Sequence, residues 1–255
     1  VNARVWNHKR SGQWHNFFFR EFIPFVVTKQ FLQMKTSEKS IEKEIEIPID
    51  KMITLKANLH VPTDAQALVI FSHGSGSSRF SSRNRHVAEM LNNENIATLL
   101  TDLLTEEEDS IYNNRFDIDL LTERLMKVTN YMMELPEFRD LAVGFFGAST
   151  GAASALKAAA QLREGIGAVV SRGGRPDLAG DSLPEVKAPV LLLVGSLDTD
   201  VIILNEAAFS KIKSEKEMKI INGATHLFEE EGKLDEVASL AAGWFNKYLV
   251  LQNQR

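Results

Sequence analysis

The sequence contains no cysteine. That excludes disulfides, thiolate metal sites, iron–sulfur clusters and a cysteine nucleophile. No run of about 18 apolar residues occurs, so no membrane-spanning helix is expected. Positive charge is in deficit: 29 Lys and Arg stand against 34 Asp and Glu, a net charge of −5 at pH 7. A basic footprint for nucleic acid is therefore missing, and no nucleic-acid partner is expected. What is present has globular proportions, with 44% hydrophobic and 25% charged residues over 255 positions. That length suits one large domain. The lack of thiols is compatible with a reducing compartment, and the expected location is cytoplasmic.

Charge and aromatics are unevenly spread. Residues 1–33 carry five cations (Arg4, Lys9, Arg10, Arg20, Lys29) against Glu21, a net +4 that leaves −9 for the remainder. They also hold eight of the 21 aromatic residues. Arg20, Glu21 and Pro24 interrupt the apolar stretch, and no small-residue cleavage site follows, so the segment does not read as a signal peptide. An organelle presequence or an amphipathic surface helix touching a membrane fits its charge. The preferred expectation is an extension over residues 1–40 that packs on the domain or stands outside the native product, since tails tolerate change. Residues 41–255 form the expected catalytic domain.

From residue 41 the pattern is regular. Ile41, Ile45 and Ile47 alternate with polar residues, and residues 52–60 alternate again, with Pro48-Ile49-Asp50 as a turn between them. These predict an antiparallel opening pair. Continuous apolar runs follow at 67–71, 97–100, 141–146, 166–170, 190–194 and 218–221. Such runs predict strands buried on both faces, the mark of a parallel sheet. Between them lie helical stripes: Ile118, Leu121, Leu125, Val128, Met132 in one, and Leu234, Val237, Leu240, Trp244, Tyr248 in another. Residues 150–163 are alanine-rich and helix-forming. The alternation predicts a mostly parallel, doubly wound α/β sheet with helices on both faces.

Ligands in such sheets bind at the carboxyl ends of the strands. Gly147-Ala148-Ser149-Thr150-Gly151 stands between a buried run and the alanine-rich helix. G-x-S-x-G in that setting is a nucleophile elbow, a tight turn that lifts the Ser149 hydroxyl above the sheet. A serine needs a base, and the base an orienting acid. His226 is the one histidine after Ser149, in the loop following the last strand. Asp198 and Asp200 both follow the strand at 190–194. Asp198 lies closer to the strand end and is preferred, with Asp200 expected as the N-cap of a helix starting at Val201. The oxyanion donors are the amide of Thr150 and that of Ser75 or Gly76, in the glycine-bearing loop at 72–79. Arg79 occupies the place of a third glycine, so that loop is not a dinucleotide fingerprint. His73 is expected to brace it. The acidic run Glu106–Asp109 lacks histidines at ligand spacing and reads as a solvated loop, and neither metal nor cofactor is expected.

These residues carry a resemblance. Over about 41–250 the chain resembles the α/β-hydrolase superfamily and, within it, the dienelactone-hydrolase-like branch. The matching pieces are HGSGSSR at 73–79, GASTG at 147–151, GSLDTD at 195–200 and GATHLF at 223–228. The stretches at 81–91, 101–108 and 171–180 resemble a narrower bacterial group, some of whose members resemble domains fused to a phosphoribosyltransferase. No phosphoribosyltransferase motif is visible in this sequence. The resemblance implies Ser149, Asp198 and His226 as a triad. Dienelactone hydrolases proper use a cysteine where this chain has Ser149.

Two loops on the expected active edge carry arginines: Arg172 and Arg175 in one, Arg79, Arg83 and Arg85 in the other. Arg79, Arg172 and Arg175 are candidate clamps for an anionic small-molecule substrate, against the alternative of bracing ion pairs with Asp102, Glu106, Glu107, Glu108 or Asp177. Arg172 is the best of them. Only about twenty residues, 171–189, lie where cap domains insert, so no large cap is expected. The function expected is a serine hydrolase cleaving a small ester, lactone or thioester. An acyltransferase or peptidase with the same triad, and a hydrolase-fold binding protein without turnover, are the alternatives.

Overall fold

Apolar runs become buried strands in the computed structural model, which describes residues 40–251. The expectations for the N-terminal extension, its membrane contact included, lie outside the described residues. The chain opens with β1 (Ile41–Pro48) and β2 (Thr54–Val61), paired antiparallel with Ile45 opposite Ala57 and Ile47 opposite Leu55. Asp50 closes the turn, its Oδ1 accepting from the Met52 and Ile53 amides at 2.8 and 2.9 Å. Then come β3 (Ala67–Ser72), α1 (Ser82–Asn93), β4 (Ile96–Thr101), α2 (Glu106–Ser110) and α3 (Ile118–Glu134). The remainder is β5 (Ala142–Ala148), α4 (Gly151–Leu162), β6 (Ala168–Arg172), β7 (Val190–Gly195), α5 (Thr199–Lys211), β8 (Lys216–Ile221) and α6 (Lys233–Phe245).

The sheet order is β1-β2-β4-β3-β5-β6-β7-β8. The β3 to β8 pairings are parallel, while β2 meets both β1 and β4 antiparallel. Every residue of β3, β4, β6 and β7 is buried, which is why these strands have no polar face. α1 and α6 seal one face, placing Val87, Leu91, Val237, Ala241 and Phe245 in a cluster with Val69, Phe71 and Phe146. α3 and α4 lie against each other. The alanines of α4 are small enough to let its backbone approach the sheet, where Ser154 Oγ meets Ser72 Oγ at 2.8 Å.

Four expectations need correction. β8 is not buried on both faces: it is the sheet edge, and only Ile221 of its six residues is buried. Lys216, Glu217 and Lys219 give that edge charges, which discourage strand addition by another chain. β6 runs on through Arg172, so that arginine ends a strand instead of lying in a loop. Residues 106–110 are helical, held by a capping box in which Thr105 Oγ1 accepts from the Glu108 amide and Glu108 returns the bond. Glu108 is no solvated acid, because its Oε1 receives buried Arg124 at 2.6 Å. Finally, α5 starts at Thr199, two residues before Val201, so Asp200 lies within its first turn and does not cap it. Between β6 and β7 the chain makes only short 3-10 turns over Pro176–Glu185, and no cap domain is inserted.

Candidate active site

Steric demand builds the turn after β5. Ser149 adopts φ +51°, a left-handed conformation costly for a residue with a β-carbon. The positions two residues to either side must be glycine, because other backbone approaches them closely. A Cβ on Gly147 would lie 2.8 Å from the Ala152 nitrogen, and one on Gly151 would strike the carbonyl oxygens of Ser72 and His73, the latter at 2.6 Å. β3 and α4 are therefore packed together directly beneath the serine. Gly74 closes the arrangement from above, since a Cβ there would stand 2.9 Å from Ser149 Cβ. The glycine pattern of the two loops is thus one interlocking contact, and Gly74 is a site residue that the sequence reading passed over.

Asp198 and His226 are brought together across two strand ends. His226 Nδ1 lies 2.6 Å from Asp198 Oδ2. The Asp198 side chain is 15% exposed and that of His226 39%, so the acid is sheltered while the imidazole opens to the solvent side. Asp198 stands at the N-cap position of α5 but makes no capping bond; its carboxylate is turned to the histidine. The two loops are stitched by Leu197 N–H donating to Ala224 O at 3.0 Å and Gly223 N–H donating to Ser196 Oγ at 2.8 Å. Gly195 is required here, because a Cβ would run into the Ala224 and Thr225 carbonyls. Phe228, fully buried at φ +58°, anchors the histidine loop in the core.

His226 and Ser149 line one small cleft of about 150 Å³ with Gly74, Ser75, Ser77, Ser81, Arg83, Asn84, Ala148, Arg172 and Leu227. Of the three proposed oxyanion residues, Thr150 is buried at the head of α4. Ser75 lines the cleft, and its amide points to the Ser149 turn, where it donates to Thr150 Oγ1 at 2.9 Å. Gly76, at φ +69°, is exposed and does not line the cleft.

The arginines divide. Arg79 is spent on structure: its backbone N–H donates to Asp102 Oδ1 at 2.8 Å, its Nη1 pairs with Asp102 Oδ2, and its Nη2 reaches Glu44 at 2.9 Å. These partners hold the Arg79 guanidinium above its usual pKa even against burial. Arg175 forms a fork with Asp177, both bonds at 2.8 Å, which likewise raises it. Neither lines the cleft. These are the bracing pairs weighed as the alternative. Arg172 does line it, joined by Arg83 and by Asn84 from the first turn of α1. Asn84 carried no sequence motif; its signal was the N-cap at Ser81, which brings the helix start to the active edge. His73 Nδ1 lies 2.9 Å from Gly74 O and Nε2 3.9 Å from Asp102 Oδ1, a bracing position. No cluster of His, Asp and Glu suited to a metal occurs among the described residues.

An elbow serine and a carboxylate-bonded histidine over a mostly parallel eight-stranded sheet define an α/β-hydrolase. The chain belongs to the dienelactone hydrolase family, whose model matches residues 55–253. It is similar to a dienelactone hydrolase from Anabaena variabilis ATCC 29413, with 50% identity, TM-score 0.80, and coverage of 83% of this chain and 99% of that one. Est1E from Butyrivibrio proteoclasticus shares the fold at 19% identity and TM-score 0.69, covering 80% of this chain and 98% of that one. A protein of Mycobacterium tuberculosis H37Rv, provisionally named a phosphoribosyl transferase, is 50% identical over 208 residues. That match takes in 82% of this chain and 47% of the relative, so the chain spans about half the length of the curated relatives it matches.

Proposed function

We propose that the protein is a serine hydrolase that cleaves a small carboxylic ester, lactone or thioester through an acyl-enzyme. The observation that carries this is the Nδ1 bond from His226 to Asp198, made over a cleft that Ser149 also lines. With Nδ1 engaged by the acid, Nε2 is the nitrogen left to act as base. His226 takes the Ser149 proton as Oγ attacks the carbonyl carbon, and Asp198 stabilises the imidazolium that forms. The tetrahedral oxyanion is received by the Thr150 amide and by the Ser75 amide once Thr150 Oγ1 releases it. The histidine then protonates the leaving oxygen or sulfur. Water, deprotonated by His226, attacks the acyl carbon and frees Ser149. A family named for lactone hydrolysis supports the reading, which also fits the triad expected from the sequence.

The test is a fluorescent fluorophosphonate with short p-nitrophenyl esters. Wild-type protein labels at Ser149 and turns esters over. Ser149→Ala abolishes labelling and lowers kcat by about 10³-fold or more. Persistent turnover in that variant, or an unlabelled and inactive wild type, refutes the proposal.

A further inference from the structure

The hydroxyl of the residue after Ser149 accepts a hydrogen bond but gives none. Thr98, Thr101, Thr122, Thr129 and Thr150 are the buried threonines among the described residues. Four of them donate: Thr98 to Asn92 Oδ1 at 3.4 Å, Thr101 to Asp102 O at 2.9 Å, Thr122 to Ile118 O at 2.6 Å and Thr129 to Leu125 O at 2.8 Å. Among the described residues the Thr150 hydroxyl only accepts, from the Ser75 amide at 2.9 Å. Thr150 stands at the N-cap of α4, where a threonine ordinarily accepts from an amide of the first turn, yet it makes no such bond. Backbone meets those amides instead, Ala152 N–H donating to Ser149 O at 3.1 Å and Ala153 N–H to Thr150 O at 3.0 Å. The Ser75 amide is set apart too. Ser77 N–H donates to Gly74 O at 3.1 Å across a turn whose third residue, Gly76, has φ +69°, the type II pattern. The amide of the second residue, Ser75, takes no part in that bond and is left to face Thr150.

We propose that the Thr150 side chain is a further catalytic group: its hydroxyl accepts from Ser75 in the resting protein and donates to the oxyanion in the transition state. The inference rests on the hydrolase reading and deepens it, adding a third, switchable donor to the two amides. An oxygen that takes the Ser75 N–H must come to about 3 Å from that nitrogen. There it meets Thr150 Oγ1, which lies 2.9 Å from the same nitrogen. Thr150 is only 6% exposed, and a buried hydroxyl that has lost its donor is costly unless it bonds again. By turning about its C–O bond it offers its own proton to the incoming oxygen, beside the N–H of its own residue. Charge decides the exchange. A neutral carbonyl oxygen competes with the hydroxyl for the Ser75 amide on near-equal terms, whereas an oxyanion takes charge-assisted bonds about twice as strong. The switch therefore favours the transition state over the bound ester, which is the condition for raising kcat.

The experiment compares wild type, Thr150→Val, Thr150→Ala and Thr150→Ser, as full chains, on p-nitrophenyl acetate. It also measures inhibition by trifluoroacetone, whose adduct with a serine is a tetrahedral oxyanion. Thr150→Val is expected to lower kcat about 10²-fold and to leave KM within about twofold, because the lost donor acts only in the transition state. Affinity for trifluoroacetone falls in step with kcat. Thr150→Ser keeps the hydroxyl and stays within about threefold of wild type in kcat. Thr150→Ala puts no methyl against the Ser75 amide; it gives the same loss and stands in if Thr150→Val folds poorly. Unchanged or faster turnover in Thr150→Val overturns the assignment, since the hydroxyl then merely occupies the amide. So does a Thr150→Ser variant as slow as Thr150→Val, which makes shape and not the proton responsible. A purely positioning role is separated by replacing Ser75 with its α-hydroxy acid, which turns the N–H into an ester oxygen. Thr150→Val must slow that background as well, and a harmless Thr150→Val there overturns the assignment. Failure of the hydrolase reading looks different: turnover then survives Ser149→Ala, whereas these outcomes are read on turnover that Ser149 carries.

Discussion

Arg172 shows how burying one charge can cost the fold. Its charged form is disfavoured in the folded protein, where its pKa falls to about 10. A base with a depressed folded pKa binds its proton more weakly when folded. The cost is therefore fully present at neutral pH and shrinks as pH rises above about 10. Arg172→Met removes the charge and keeps much of the bulk. The expected outcome is a protein more stable to urea by about 1–3 kcal/mol at pH 7, the scale of an unmet buried polar group, with a smaller gain above pH 10. Equilibrium unfolding at both pH values checks the sign, and a destabilised variant would mean that the Asn84 contact outweighs desolvation. Residue type and spacing led from the sequence to Ser149, Asp198 and His226, which the structure sets at strand ends around one cleft. They ranked Arg172 ahead of Arg79 and Arg175 but kept all three as candidates, because the difference is whether an acid faces the guanidinium, and Asp102 lies 23 residues from Arg79.

At the scale of elements, the elbow depends on how closely α4 follows β5 and abuts β3. Gly151→Ala puts a methyl group into the Ser72 and His73 carbonyls, which belong to backbone and cannot step aside. The expected effect is a loss of about 1–3 kcal/mol together with a large fall in ester turnover. Gly243→Ala is the control. It lies exposed in α6 with nothing near the added carbon, so it gains about 0.5–1 kcal/mol from helix propensity and leaves turnover unchanged. Thermal melts and kcat/KM for the two variants test both statements. Strands and helices were legible wherever burial was uniform, as in β3, β4 and β7. The sequence misled at element ends. β8 is apolar enough over Met218–Ile221 to resemble a core strand, but its exposure follows from its place at the sheet edge, with no ninth strand beside it among the described residues. The start of α5 was misplaced because Asp198 is turned to His226, leaving the helix without the side-chain cap that marks a start.

For the whole molecule, the parallel sheet, the antiparallel opening pair and the lack of a cap follow from the order and length of the segments. Six apolar runs separated by helix-length gaps leave few topologies. The short β6–β7 connection keeps the cleft uncovered by any inserted domain. Rates should therefore rise hyperbolically with a short-chain ester and show no jump when the ester passes its solubility limit. A jump at the emulsion boundary would reveal a moving cover, and a concentration series across that limit checks it.

The serine turn has one more consequence, for how the molecule can be interrogated. Among 255 residues there is no sulfhydryl, and Ser149 lines the cleft. Ser149→Cys would thus install a single thiol against a silent background. Its ultraviolet thiolate band would report the local potential that His226 and Arg172 create, making the chain a single-site electrometer for its own cleft.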